Sequence, residues 1–286
     1  MIQSMTGFGK ATLQLPSKKI TVEIKSLNSK GLDLNVRMPS VYREMELGLR
    51  TQLSNALERG KIDFAIYVEN TTEQTATRVN IPIVKAYIGQ LLEVYPNADE
   101  TELMKMAVRM PDALKTEREE VDENEWKQIE GVISEAVGNI KSFRIAEGSA
   151  LEKEFLQRIA NIMTMMNATV AMDGERIENV KKRLSAALED LKVTLDENRF
   201  EQELIFYLEK YDITEEKVRL ENHLNYFIQT LADKEANGRK LGFITQEMGR
   251  EINTMGSKSN HAAMQKLVVQ MKDELEKIKE QVLNVL

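Results

Sequence analysis

Glu247 and Glu251 stand four residues apart in a stretch whose pattern predicts a helix over 240–256, so both carboxylates leave one face. Like charges at that spacing repel. A divalent cation held by oxygen ligands would relieve them and bring Lewis-acid chemistry to a phosphate. The spacing equally suits a solvated face on which both glutamates pair with Arg250. Thr254 and Lys258 continue the row, and beside it Gln246, Arg250, Asn253, Ser257 and Asn260 recur at 4-3-4-3. Amides and arginine are good partners for phosphate and base edges. On a second predicted helix, 214–235, Glu216, Arg219, His223 and Tyr226 run along one flank at 3-4-3. An imidazole there could serve as general acid or base, or be a boundary histidine bonded to Glu216 or to backbone. Glu147 sits where an apolar stripe (Ile140, Phe143, Leu151) should continue. It is therefore expected to be paired, metal-bound or raised in pKa, unless Gly148 breaks the helix and exposes it.

These residues need rigid supports, and the pattern supplies them. Gly242, Gly249 and Gly256 recur every seventh residue beside the apolar line Leu241, Ile244, Met248, Ile252 and Met255. Each helical glycine costs roughly 1 kcal/mol against alanine, so the line implies close approach of another helix or of a ligand. Asp212 and Glu215 read as a capping box before the stripe Leu220, Leu224, Phe227 and Leu231. A long helical run starts near Trp126, with further helices at about 174–195, 197–210 and 261–285. The last carries a heptad seam, Met264, Val268, Met271, Leu275, Ile278, Val282 and Val285, which packs into its own bundle or onto a second copy. His261, at its start, reads as a capping-region residue.

Upstream the period changes to two. Segments 10–15, 19–27, 32–37 and 61–68 alternate or cluster strand formers, and a helix at 42–57 precedes the fourth, giving strand-strand-strand-helix-strand. Residues 71–80 read as a loop or weak edge strand, and 115–125 as a charged, solvated stretch. The class is α+β: a mixed sheet domain over 1–155 and a helical domain over 156–286, with the chemistry-bearing region at 200–286.

Composition narrows the chemistry. The absence of cysteine excludes thiolate metal sites and cysteine nucleophiles, and makes a reducing cytosol the expected compartment. Neither a leader pattern nor an apolar run of membrane-spanning length is seen, so a cytoplasmic protein with no membrane partner is expected. Basic residues number 39 against 46 acidic ones, a net charge of −7, so any nucleic-acid binding must rest on local basic clusters or bridging metal. Phosphate-binding glycine loops, HExxH and the nucleophile elbow are absent.

Several segments together resemble the YicC/YloC family: Ser4-Met5-Thr6-Gly7-Phe8-Gly9, residues 22–28, Val36-Arg37-Met38-Pro39, Arg59-Gly60-Lys61 and Phe143 to Gly148. Glu216, Arg219-Leu220 and His223-Leu224 add to these, as do 238–241, 246–248, 250–254, 256–258 and 277–282. The resemblance implies an endoribonuclease that needs a divalent cation, Mn2+ or Mg2+, and acts on RNA as a ring-like homo-oligomer, a hexamer. It implies His223, Glu247, Arg250 and Glu251 as catalytic candidates. Glu147, Glu216, Glu247 and Glu251 are implied as metal ligands, and Arg37, Arg219, Arg239, Lys240, Asn253 and Lys258 as RNA contacts. Gly242 stands where an aspartate is common in the family, and no ligand is carried over there. A non-catalytic RNA-binding adaptor and a purely structural oligomer are the competing readings.

Overall fold

A computed structural model describes residues 2–71, 77–116, 123–190, 197–233 and 238–286. Three strands open the chain: β1 (Gly7–Gln14), β2 (Lys18–Leu27) and β3 (Leu32–Arg37). Pro39 ends the third, and a 3-10 turn (Ser40–Met45) leads into α1 (Glu46–Leu57) and then β4 (Gly60–Asn70). Glu58 caps α1 at φ 53°, and Gly60, expected as the residue that ends the helix, instead opens β4 with a φ of 121° that favours glycine. The strands order as β1-β2-β4-β3, antiparallel except for β3 against β4, which α1 joins as a crossover. Ile20, Val22, Ile24, Ile62, Phe64 and Ile66 point to one face and are buried there. Their alternation with polar residues is the period-two pattern of a sheet covered on one side.

A smaller pair, β5 (Thr77–Val79) and β6 (Leu114–Thr116), brackets α2 (Ile81–Val94) and α3 (Glu100–Ala107), whose small core is Val84, Ala107 and Ala113. The 71–80 segment thus supplies an edge strand at 77–79, while 72–76 lies outside the described residues, as does 117–122 of the charged stretch.

α4 (Glu123–Ala171) is one unbroken helix of 49 residues, about 70 Å long at the α-helical rise. Its first half lays Ile129, Ile133, Ala136 and Ile140 on the sheet. Its second half carries Leu151, Phe155, Ile159, Ile162 and Met166 into the bundle. The expected boundary at 155 falls inside this helix.

The expected stripe through Phe143 and Glu147 is shifted by one position: Ile140, Arg144, Gly148 and Leu151 are the buried line, and Phe143 is 47% exposed. Arg144 tolerates this because its fork donates to the carbonyls of Leu57, Arg59 and Met5 and to the Ser26 hydroxyl. Burial lowers its pKa from the ordinary arginine value. Gly148 does not break the helix. It admits the Ile2–Gln3 backbone, to which a Cβ there would approach within 2.1 Å of the Ile2 carbonyl oxygen.

The bundle continues with α5 (Asp173–Asp190), α6 (Glu197–Lys210), α7 (Thr214–Ala232), α8 (Gly238–Lys258) and α9 (Ala262–Val282). The ends expected at 191–195 and 234–235 lie outside the described residues. The heptad seam of α9 is buried within its own chain, against α4 and α8. The glycine line of α8 faces α9: Gly242 toward Val282, Gly249 toward Leu275 and Gly256 toward Val268. Helix approach, not a ligand, is what those glycines serve. The terminal segments close the body: Met5 N–H donates to Asn284 O at 2.7 Å, and Leu286 N–H to Gln3 O at 2.9 Å. Among the described residues no helix is long and apolar enough to cross a membrane.

Candidate active site

Asp212 starts α7 by accepting the Thr214 hydroxyl at 2.7 Å and the Thr214 N–H at 2.9 Å. Those bonds hold its carboxyl below the usual range. The expected capping box does not form, because the N-cap is Ile213 and not Asp212, and Glu215 pairs with Arg219 one turn on. Leu220, Leu224, Phe227 and Leu231 bury the inner side of α7, which leaves Glu216, Arg219, His223 and Tyr226 along its flank.

On α8 the row at 4-3-4 spacing, Glu247, Glu251, Thr254 and Lys258, extends back through Ile244 to Lys240. The two rows are pinned together at both ends. Lys258 Nζ lies 2.7 Å from Glu216 Oε1. At the other end Lys240 Nζ lies 4.9 Å over the Tyr226 ring and 3.5 Å from Asp233. Tyr226 first, with Asp233, raises the Lys240 ammonium above the ordinary lysine value. α7 and α8 therefore run antiparallel, and the residues between the pins, Arg219 and His223 on one side and Glu247, Glu251 and Thr254 on the other, line one seam.

Two carboxylates in this seam are buried. Glu216 is 4% exposed, and its second oxygen, Oε2, has no partner among the described residues. Glu251 is 9% exposed and has neither an ion-pair nor a hydrogen-bond partner among them. The expected Glu247–Arg250 pair forms at 2.7 Å, on the wet side, and the Glu251–Arg250 pair does not. His223 is half-buried and makes no hydrogen bond to Glu216, so it is not tied down as a boundary histidine. Arg239 and Asn253 are exposed on α8.

Two candidates stand apart from this group. Glu147, on α4, accepts the Thr6 hydroxyl at 2.9 Å, and Arg37, on β3, lies 3.9 Å from Asp63 in the sheet. The described residues contain no group of three or more His, Asp or Glu that could hold a metal ion. The seam instead offers two carboxylates, Glu251 and the free oxygen of Glu216. The two do not form one shared donor set: Glu216 faces Lys258, and Glu251 lies seven residues back along α8, about 10 Å away at the α-helical rise.

One supporting residue carries no signal in the sequence, and the expected cap His261 does not cap. Arg176, 3% exposed, donates to Tyr211 O at 2.6 Å and Lys258 O at 3.4 Å and pairs with Asp173, fixing the end of α8 that bears Lys258. Nothing in the spacing of α5 marks it. His261 precedes α9 with no capping hydrogen bond, and its Nδ1 is buried without a partner among the described residues.

A sheet domain and a helical bundle sharing one long helix, with Glu216, Glu251, Arg219 and His223 gathered along one seam of the bundle, define the class of the protein as α+β. Models of one family cover both parts: "Endoribonuclease YicC-like, N-terminal region" matches residues 2–153, and "Endoribonuclease YicC-like, C-terminal" matches 168–286. The chain belongs to the YicC-like family. It is similar to proteins named probable endoribonuclease YicC from Clostridioides difficile (31% identical over 293 aligned positions) and Haemophilus influenzae (28% over 287). In both cases the full length of each chain is covered.

Proposed function

We propose that this protein is an endoribonuclease that cleaves RNA phosphodiester bonds at the α7–α8 seam, with a divalent cation, Mn2+ or Mg2+, in a homo-oligomer whose copies close around the RNA. The observation that carries the reading is Glu251: a residue 9% exposed, with no partner among the described residues and its carboxylate oxygens still open to solvent, in the seam that also holds Arg219 and an untethered imidazole.

Arg219 and Arg250 supply fork-shaped donors that bind a phosphate in two places at once. Glu247 orients Arg250. Arg239, Lys240, Asn253 and Lys258 extend the donor surface along α8, and Arg37 adds a contact from the sheet. His223 would take a proton from the attacking oxygen or give one to the leaving oxygen. Glu247 and Glu251, one turn apart on α8, would hold the cation, and Glu216, two turns away opposite Lys258, and Glu147 would join only through another copy or a rearrangement. When bound, the cation would neutralise phosphate charge and polarise a phosphoryl oxygen.

The test uses the purified full chain, end-labelled single-stranded RNA, and Mn2+, Mg2+ or EDTA. Cleavage is expected with metal and not with chelator. Glu251→Gln, Glu247→Gln and His223→Ala are each expected to lower the rate by about 10²–10⁴ with the melting curve intact. Full activity in all three variants removes the site, and cleavage that survives EDTA removes the metal. Salt-sensitive RNA binding without cleavage would support the adaptor reading instead.

A further inference from the structure

The four-stranded sheet is covered on one face only. α1 and α4 pack on it there, and among the described residues no helix packs on the other. We propose that this open face is a platform for single-stranded RNA: Phe8 and Tyr67 stack bases, and Lys10, Lys25, Lys61 and Arg37 hold the phosphates. The inference rests on the RNA-cleaving reading above and assigns a second contact surface in the other half of the chain.

The strand register sets the layout. Phe8, Lys25, Asp63 and Asn35 form one row across β1, β2, β4 and β3, and Lys10, Glu23, Ala65 and Arg37 form the next. Tyr67 lies one row further, opposite Thr21 and Thr12. From strand and row spacings the two rings are about 16 Å apart on the diagonal, with the small Ala65 and two threonines between them. Both rings are left in water, Phe8 41% and Tyr67 50% exposed, although the covered face of the same strands buries its apolar side chains. Lys25 Nζ sits 5.9 Å from the Phe8 centroid, so one base could stack on the ring beside a cation that takes its phosphate.

The charges are layered. Glu23 lies low on the sheet (side chain 20% exposed) and bridges Lys10 and Lys25, which stand above it at 51% and 61%. Asp63 at 36% holds Arg37 at 72%. These two carboxylates thus sit beneath the lysines and Arg37; Leu27 (56% exposed), Lys61 and Asp33 form the row outside Phe8, and charged and polar side chains separate the two rings. That pattern favours a stacked, phosphate-bearing strand over an apolar protein surface. An open four-stranded sheet with exposed aromatic residues is a known geometry for stacking two or three bases.

The test measures fluorescence anisotropy of a short labelled oligoribouridylate with the full chain in EDTA, so that binding is read without cleavage. Phe8→Ala and Tyr67→Ala should each weaken binding about tenfold, while Tyr67→Phe should keep it. Lys10→Ala and Lys25→Ala should each reduce the salt slope by about 1. Because these side chains are exposed, melting temperatures should not move. In cleavage assays the aromatic variants should raise KM and leave kcat alone. If the wild type cleaves RNA but the aromatic variants bind as it does, the platform is wrong and the seam stands. If the wild type neither binds nor cleaves RNA, both fall. If Tyr67→Ala changes the solution mass and not RNA affinity, the face is a contact between copies and the platform is again wrong.

Discussion

Replacing Gly148 by alanine gives opposite signs from two arguments, and the structure decides between them. Alanine in a helix interior should help by up to ~1 kcal/mol. At Gly148, however, the added Cβ would lie 2.1 Å from Ile2 O, 2.8 Å from Ile2 C and 2.9 Å from Gln3 Cα. These are backbone atoms that no rotamer change can move aside. The N-terminal segment must lift away. Its departure exposes Ile2, now 5% exposed, at about 2 kcal/mol. It also strains or breaks Ser4 N–H to Arg144 O (3.0 Å) and Leu286 N–H to Gln3 O (2.9 Å), at about 1 kcal/mol each. The expected net loss is about 3 kcal/mol, which lowers Tm by roughly 5–10 °C in a chain of this size. Gly138 is the internal control: it lies in the same helix with nothing within 4 Å of its Cβ position, so Gly138→Ala should be neutral or raise Tm by a few degrees. Thermal melts of both variants and hydrogen exchange at Ser4 and Leu286 read the effect. A Gly148→Ala protein at least as stable as the wild type, with those amides still protected, would refute the reasoning.

Two further expectations concern charge. Lys258→Ala strands the buried Glu216 and should cost ~2 kcal/mol, below the usual range for a buried pair because Lys258 is itself 28% exposed. The double replacement Glu216→Gln with Lys258→Met should recover most of that in a melting experiment, and a neutral Lys258→Ala would show the pair to be idle. At the α4–α9 contact, burial alone would raise the Glu274 carboxyl. Asn161, Lys277 and Arg158 outweigh it and hold the group below its ordinary 4.5. Its stabilising contribution is therefore complete above pH 4.5 and lost as pH falls below that through the lowered native value. The Tm gap between wild type and Glu274→Gln should be constant near neutral pH and shrink in acid, and a gap that widens in acid would reverse the assignment.

The helices and strands were legible because their signals are local. The period of two in Ile20, Val22 and Ile24 and the 4-3 steps of Met264 to Val285 need no partner to be recognised. The two rows carrying Glu216, Arg219 and His223 and Glu247 and Glu251 were equally visible, since side chains three and four apart share a helix face in any context. The burial of Arg144 was not legible because a polar residue reads as surface until its acceptors are known, and those come from β2, the end of α1 and the N-terminal segment.

Sequence alone determined the strand-strand-strand-helix-strand order of the first part, the α+β class, the resemblance to the family and the stocks of carboxylate, imidazole and guanidinium on each helix, but not the strand at 114–116. Tertiary structure decided that the glycine line serves α9, that Lys258 faces Glu216, and that Glu251 is buried alone while Glu147 goes to Thr6. The division has one physical cause. Periodicity is a property of a single helix or strand, whereas pairing and desolvation depend on which other surface arrives, and only the folded chain brings those surfaces together.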